Sequence, residues 1–191
     1  MHKPYLQDEV FSAADFAEKP LAKGEYDACV FNNCNFSETN LSGFVFIDCT
    51  FNNCNLILAK VDGTTFRDID FVGCKLLGLR FDTCNEFGLA FSFSDCNVGH
   101  SSFYKTKIKK TVFKNTHLQE TDFVECNLSG AIFDNCNLER AVFERSILDK
   151  ADFRTAYNYT IDPENNSLKK TKFSVSGVIG LLNKYDIIIE E

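Results

Sequence analysis

From Phe11 onward a large apolar residue stands at every fifth position: Phe11, Phe16, Leu21, Tyr26, Phe31, Phe36, Leu41, Phe46, Phe51, Leu56, Val61, Phe66, Phe71, Leu76 and Phe81. The same period returns from Val98 through Phe103, Ile108, Phe113, Leu118, Phe123, Leu128, Phe133, Leu138, Phe143 and Leu148 to Phe153. Two residues before these centres the chain prefers compact side chains, such as Ala14, Cys29, Cys34, Thr39, Cys49, Cys54, Cys96, Thr121, Cys126 and Ala151. The other three places are mostly Asn, Asp, Glu, Ser, Gly or Lys. A period of five matches neither the 3.6 residues of a helical turn nor the two-residue alternation of a strand, so neither element alone accounts for it.

A second period of twenty is superimposed on the first. FNNCNF at 31–36 returns as FNNCNL at 51–56, and FDNCNL follows at 133–138. Sorted by twenty, one column of centres reads Phe11, Phe31, Phe51, Phe71, Phe91, Phe113, Phe133, Phe153 and Phe173, once two inserted residues are allowed after Phe91. The column Cys34, Cys54, Cys74, Cys96, Thr116, Cys136 demands the same insertion. This places an insertion loop at Ser92, Phe93, Ser94 and Asp95. Four pentapeptides then close one turn, and residues twenty apart lie one above the other. The 20 Phe of this chain are absorbed by that single role.

The repeated unit, [A/C/S/T]-[D/N]-[L/F]-x-x, resembles the pentapeptide-repeat family over about residues 11 to 173. The resemblance implies an all-β fold, a right-handed quadrilateral β-helix of about eight coils. Stacked at the ~4.8 Å ladder spacing, eight coils make a rod roughly 38 Å long. Each buried centre contributes on the order of 1.5–3 kcal/mol, but a single coil cannot bury its apolar face alone, so neighbours and end caps complete the fold.

The repeat domain is expected to span residues 1–173, and residues 174–191 form a different unit. Glu86 falls at a centre, where an unpaired carboxylate is costly; either Phe87 turns inward in its place or the backbone bulges and Glu86 reaches water. After the loosened stretch YNYTIDPENN, Leu168 and Phe173 restore the rhythm. Val178, Leu181, Leu182 and Tyr185 are spaced as an amphipathic helix opened by Ser174 or Ser176, lying over the end of the rod. Asp186, Ile187, Ile188 and Ile189 are expected to form a strand with an open edge. Family members often dimerise through their C-terminal ends. The resemblance therefore implies a homodimer roughly 75–80 Å long, with Val178, Leu181, Leu182, Tyr185, Ile187 and Ile189 at the capping and dimerisation surface.

Little in the chain points to chemistry. The nine cysteines all fall at the compact inward position and none forms a CxxC pair, so they are expected to be buried, reduced and structural, with no metal or other cofactor bound. His2, His100 and His117 are the only histidines, and no nucleophile arrangement, glycine-rich phosphate loop or paired-carboxylate motif accompanies them. The sequence predicts no enzyme. MHKPYLQDEVFSAADF has no apolar run typical of a signal peptide, and no stretch approaches the roughly 20 apolar residues of a membrane span, so the expected location is cytoplasmic.

Net charge is −7, carried by the first hundred residues with 14 acidic against 7 basic side chains. Lys105, Lys107, Lys109, Lys110 and Lys114 form the one basic cluster; without stacking aromatics around it, a solvated face is favoured over direct nucleic-acid binding. Between Gly24 and Ala59, by contrast, Glu25, Asp27, Glu38 and Asp48 stand without a Lys or Arg, and Asp62, Asp68 and Asp82 extend the acidic zone. These seven residues are the candidate contacts for a basic partner. The chain is similar to the quinolone-resistance type within the family, which protects DNA gyrase and topoisomerase IV by mimicking duplex DNA in shape and charge. That implies a type II topoisomerase as partner; a scaffold or protein-interaction module is the other reading.

Overall fold

Asn, Asp and Gly recur at the last place of each pentapeptide because the backbone there enters the left-handed region. From Asp8 to Lys170 these corner residues have φ between +49° and +72°. None of the non-glycine corner residues is β-branched, as expected where Cβ crowds the following carbonyl. Where a threonine occupies the corner, at Thr83, the chain makes a 3₁₀ turn at Phe81–Thr83 instead. Each corner turns the chain onto the next side of a square coil, and corner amides donate to carbonyls of the following coil, as Asn33 does to Asn52 at 2.8 Å, or to a hydroxyl, as Asn135 does to Thr155.

The computed structural model describes residues 4–185 and 187–190. They form a parallel solenoid. One side carries a four-stranded sheet, Tyr5–Gln7, Glu25–Asp27, Val45–Ile47 and Thr65–Arg67, in that order. The next side carries seven strands: Val10–Ser12, Val30–Asn32, Thr50–Asn52, Ile69–Val72, Phe91–Ser94, Val112–Lys114 and Ile132–Asp134. The other two sides, and the last two coils, are carried by isolated parallel bridges such as Asn35 to Asn55 and Asp152 to Lys172. Seven strands enclose six strand-paired turns, and the bridges extend the stack towards the eight expected from the repeat.

The interior is a ladder of rings. Phe11, Phe31, Phe51 and Phe71 stack face to face at 4.7 to 5.2 Å, and each ring meets the edges of rings on adjacent sides, as Phe31 meets Phe46 at 5.9 Å and 81°. Phe31, Phe51 and Phe71 are fully buried, whereas Phe11 and Phe173 close the two ends half-buried.

One place in the expected column is corrected. Phe71 pairs with Phe93, not Phe91, and Phe93 in turn pairs with Phe113. The twenty-residue register still holds where the Asn85 amide donates to the Thr64 carbonyl, but Ile69 already faces Phe91. The extra two residues therefore lie within residues 86–90. Ser92, Phe93 and Ser94 belong to a regular strand and Asp95 is an ordinary corner, so none of the four is an insertion loop. The bulge resolves the problem of Glu86, which is exposed, and Phe87 does not turn inward: it is 76% exposed. The ring that helps fill the vacated interior is Phe91, packed among Phe81, Phe93 and Phe103 at 5.1 to 5.9 Å.

The tail also departs from expectation. Gly177–Leu181 is a 3₁₀ helix, opened by the Ser174 hydroxyl accepting from the Gly177 amide at 3.0 Å, in place of an amphipathic α-helix. It does lie over the end of the rod: the Ile161 amide donates to the Gly180 carbonyl, and Leu181 packs against the core. Residues 187–190 form no strand, and Asp186 lies outside the described residues.

Candidate functional site

The compact inward positions are polar for a reason that residue size does not reveal. The Thr64 hydroxyl donates to the Leu41 carbonyl at 2.7 Å, the Ser146 hydroxyl to Phe123 at 2.7 Å and the Cys74 thiol to Phe51 at 3.1 Å. Each reaches one coil back to a centre's carbonyl, so a small donor can be buried without loss. Burial pushes the thiols of Cys49, Cys126 and Cys136 up to about 12, which keeps them protonated and unreactive at neutral pH. Eight of the cysteines are buried; Cys84, beside the bulge, is only half-buried. Among the described residues no group of three or more His, Cys, Asp or Glu side chains is arranged to hold a metal ion.

Function must then be sought on the outside. Above the bulge two of the four corners neutralise themselves coil by coil. Glu120 is held between His100 at 3.2 Å and Arg140 at 2.5 Å. Glu125 is held between Lys105 at 3.5 Å and Arg145 at 3.1 Å. A third corner is largely uncharged, with Asn115 donating to Asp95 and Asn135 to Asn115 at 2.9 Å each. His117, in the neighbouring column, bridges Asn97 and Asn137 as part of the backbone ladder.

The fourth corner, between the two sheets, is different. Its residues read Asp8, Ala28, Asp48 and Asp68 below the bulge and Lys110, Gly130, Lys150 and Lys170 above it. The four lysine and glycine places continue the acidic column without one opposite-charge pair between neighbours, and none of these aspartates or lysines makes an ion pair among the described residues. Like charges one coil apart repel by about 1 kcal/mol even in water, so this surface is left uncompensated where its counterparts are not.

The structure splits the seven acidic candidates. Glu25 and Asp27 lie on the strand leading to this corner, with Asp48 and Asp68 on the corner itself. Glu38 is on another corner, and Asp62 and Asp82 lie on the side that follows it. Asp82 is already held by Arg80 at 2.6 Å, and the Tyr5 hydroxyl donates to Asp27 at 3.0 Å. The basic continuation of the edge is not in the predicted set, although sorting the corner positions by twenty reveals it. At the change of sign lies a notch lined by Asp48, Asp68 and Asp70, by Ala90 and Phe91, and by Lys109 and Lys110.

At the C-terminal end Lys184 reaches both Asp162 and Glu164 at 2.7 Å, the Tyr185 hydroxyl donates to Glu164 at 3.1 Å and Asn183 to Thr160 at 2.8 Å. The Lys184 ammonium holds both carboxyls below their ordinary range. Val178, Ile179, Tyr185, Ile187 and Ile189 remain exposed there, beside a shallow groove they share with Leu182. No helix of the described residues is long and apolar enough to cross a membrane.

A stacked solenoid of five-residue sides, closed by aromatic centres, defines the class of protein. The chain belongs to the pentapeptide-repeat family: the family model for pentapeptide repeats in eight copies matches residues 29–68, and that for the pentapeptide repeat region matches residues 88–153, together more than half of the sequence. Among solved structures it is similar to a trypsin-treated variant of QnrB1, a plasmid-mediated fluoroquinolone resistance protein, at 16% identity with a TM-score of 0.58, covering 100% of both chains. It is also similar to HetL, a pentapeptide repeat protein involved in heterocyst differentiation regulation from the cyanobacterium Nostoc sp. strain PCC 7120, at 16% identity with a TM-score of 0.55, covering 91% of this chain and 87% of that one. No curated protein matches the sequence.

Proposed function

We propose that this protein is a non-enzymatic cytoplasmic binding rod that occupies the DNA-binding surface of a type II topoisomerase such as DNA gyrase. The observation that carries the proposal is the uncompensated acidic column of Asp8, Asp48 and Asp68, flanked by Glu25 and Asp27 on the adjoining strand. Carboxylates at three of four successive coil levels spaced by ~4.8 Å offer a basic, DNA-binding groove a negative track, interrupted at Ala28 and sparser than the phosphates of a duplex. The full-length likeness in fold to a fluoroquinolone resistance protein supports the same reading. The test is the supercoiling of DNA by purified gyrase, with and without a quinolone. Inhibition or quinolone protection at micromolar protein, lost in Asp48→Lys with Asp68→Lys, is the expected result. A rod with no effect in either assay leaves the second reading, an interaction module for another protein. The basic half of the same edge favours that reading, because DNA mimicry leaves it unused.

In this proposal the rod works as an end-to-end dimer. The exposed apolar side chains beyond Tyr159, among them Tyr185, Ile187 and Ile189, supply the joint. Small-angle scattering checks it: Ile187→Asp with Ile189→Asp should halve the longest dimension, and an unchanged particle rejects the joint.

A further inference from the structure

The edge between the two sheets changes sign once, at its middle, and the change falls at the bulge. Counting coils from Gly88, Asp68 lies one below and Lys110 one above, and Asp8 lies four below and Lys170 four above. A surface whose charge inverts about its midpoint is complementary to itself turned end for end. A two-fold axis through the bulge and perpendicular to the rod brings the acidic half of the edge opposite the basic half of a second copy, with Asp68 and Asp8 level with lysines.

We propose that two copies of this chain associate side by side and antiparallel along this edge. Asp68 of each copy faces the partner's Lys110, Asp8 faces the partner's Lys170, and Asp48 lies between the partner's Lys110 and Lys150. Few charges oppose this pattern: among the described residues Arg67 is the one cation in the acidic half of the edge, and in the basic half Asp149 beside Lys150 accepts from the Ser167 hydroxyl and the Lys169 amide while Asp152 is already held by Arg154 and Lys172. The centre of the contact carries one exposed aromatic. Phe87, the one exposed phenylalanine of the chain, belongs to the bulge through which the axis passes, and the charged notch lined by Asp68, Asp70, Lys109 and Lys110 lies at the same change of sign. An exposed aromatic among complementary charges is placed to act as the one apolar anchor of a polar interface. The contact is distinct from the end-to-end joint, because it uses the flank of the rod and not its terminus, and it competes with the topoisomerase contact, because both use Asp8, Asp48 and Asp68.

Sedimentation velocity of the full-length protein at about 50 mM and about 500 mM salt tests this, using Asp68→Lys, Lys110→Asp, the two together, and Phe87→Ser. The expected result is an association that fades at high salt. By symmetry each single reversal turns two attractive contacts into repulsive ones and weakens the association about tenfold. The double variant exchanges the charges and recovers the original strength, and Phe87→Ser weakens the pair at both salts. All three positions are exposed, so the variants keep the fold, and recovery in the double variant cannot arise from misfolding. A wild type without salt-sensitive association, single reversals without effect, or a double variant no tighter than the singles overturns the proposal.

Discussion

The rings of Phe71 and Phe93 lie 5.4 Å apart with their planes 11° from parallel, although 22 residues separate them and every other step of the stack spans 20. The stack passes the bulge without a break because the two extra residues leave on the outside of the corner. Phe93 therefore carries the same packing as any other ring of its column, while Phe87 carries none. Phe93→Ala should cost about 3–5 kcal/mol in denaturant unfolding, whereas Phe87→Ser should stay within about 0.5 kcal/mol. Equal effects from the two would show that the bulge, and not the stack, organises this region.

Ser146 tests the inward hydrogen bonds. Its hydroxyl meets the Phe123 carbonyl at 2.7 Å in a fully buried place. Ser146→Ala removes one of the two donors to that carbonyl, leaving it the Cys126 amide at 3.1 Å, and should lower stability by about 0.5–1.5 kcal/mol, while Ser146→Cys keeps a donor and should cost less. If alanine and cysteine behave alike by thermal melting, the compact positions are chosen for volume alone.

The buried thiols set an alkaline limit. Cys49, Cys126 and Cys136 are raised to about 12 by burial, whereas in the unfolded chain a thiol ionises near 9. The unfolded state therefore loses protons first. Stability from these groups is complete below about pH 8 and falls as pH rises from about 9 towards 12. Melting temperature should show that slope, and the eight buried thiols should resist alkylation at pH 8 until the rod unfolds. Rapid labelling of the folded protein beyond Cys84 contradicts this account.

The tail is held on by contacts that acid and a single methyl group can each break. A Cβ at Gly180 would lie 2.8 Å from the Tyr159 ring and against its backbone carbonyl, so Gly180→Ala should lift the 3₁₀ turn. Asp162 and Glu164 are held below their ordinary range by Lys184, so their contribution is present above about pH 4–5 and is lost as pH falls below that. Limited proteolysis should cut the tail faster in Gly180→Ala at neutral pH, and in the wild type below pH 4. Unchanged cleavage in both cases means the tail is anchored elsewhere.

Much of this architecture is legible in the residues themselves. The five-residue period fixes which side chains point inward, and recurrence at twenty fixes which lie above one another, because every coil repeats the same local corner geometry. The ion pair of Lys105 and Glu125, one coil apart, follows from that register alone. The choice between Phe91 and Phe93 does not. Both are apolar and two residues apart on one strand, so both face inward, and only the hydrogen bonds of residues 85–91 decide which ring continues the stack. The tail is ambiguous for a similar reason: apolar spacing of three and four suits an α-helix as well as a 3₁₀ turn, and close contact of Gly177 and Gly180 with Tyr159 accompanies the tighter form. Composition likewise counts acidic and basic residues without telling which neutralise each other. By itself the sequence determined the coil and its contents, since burial follows a strict local period; tertiary structure alone decided where the period slips and which charges are left unpaired, since both depend on contacts between coils.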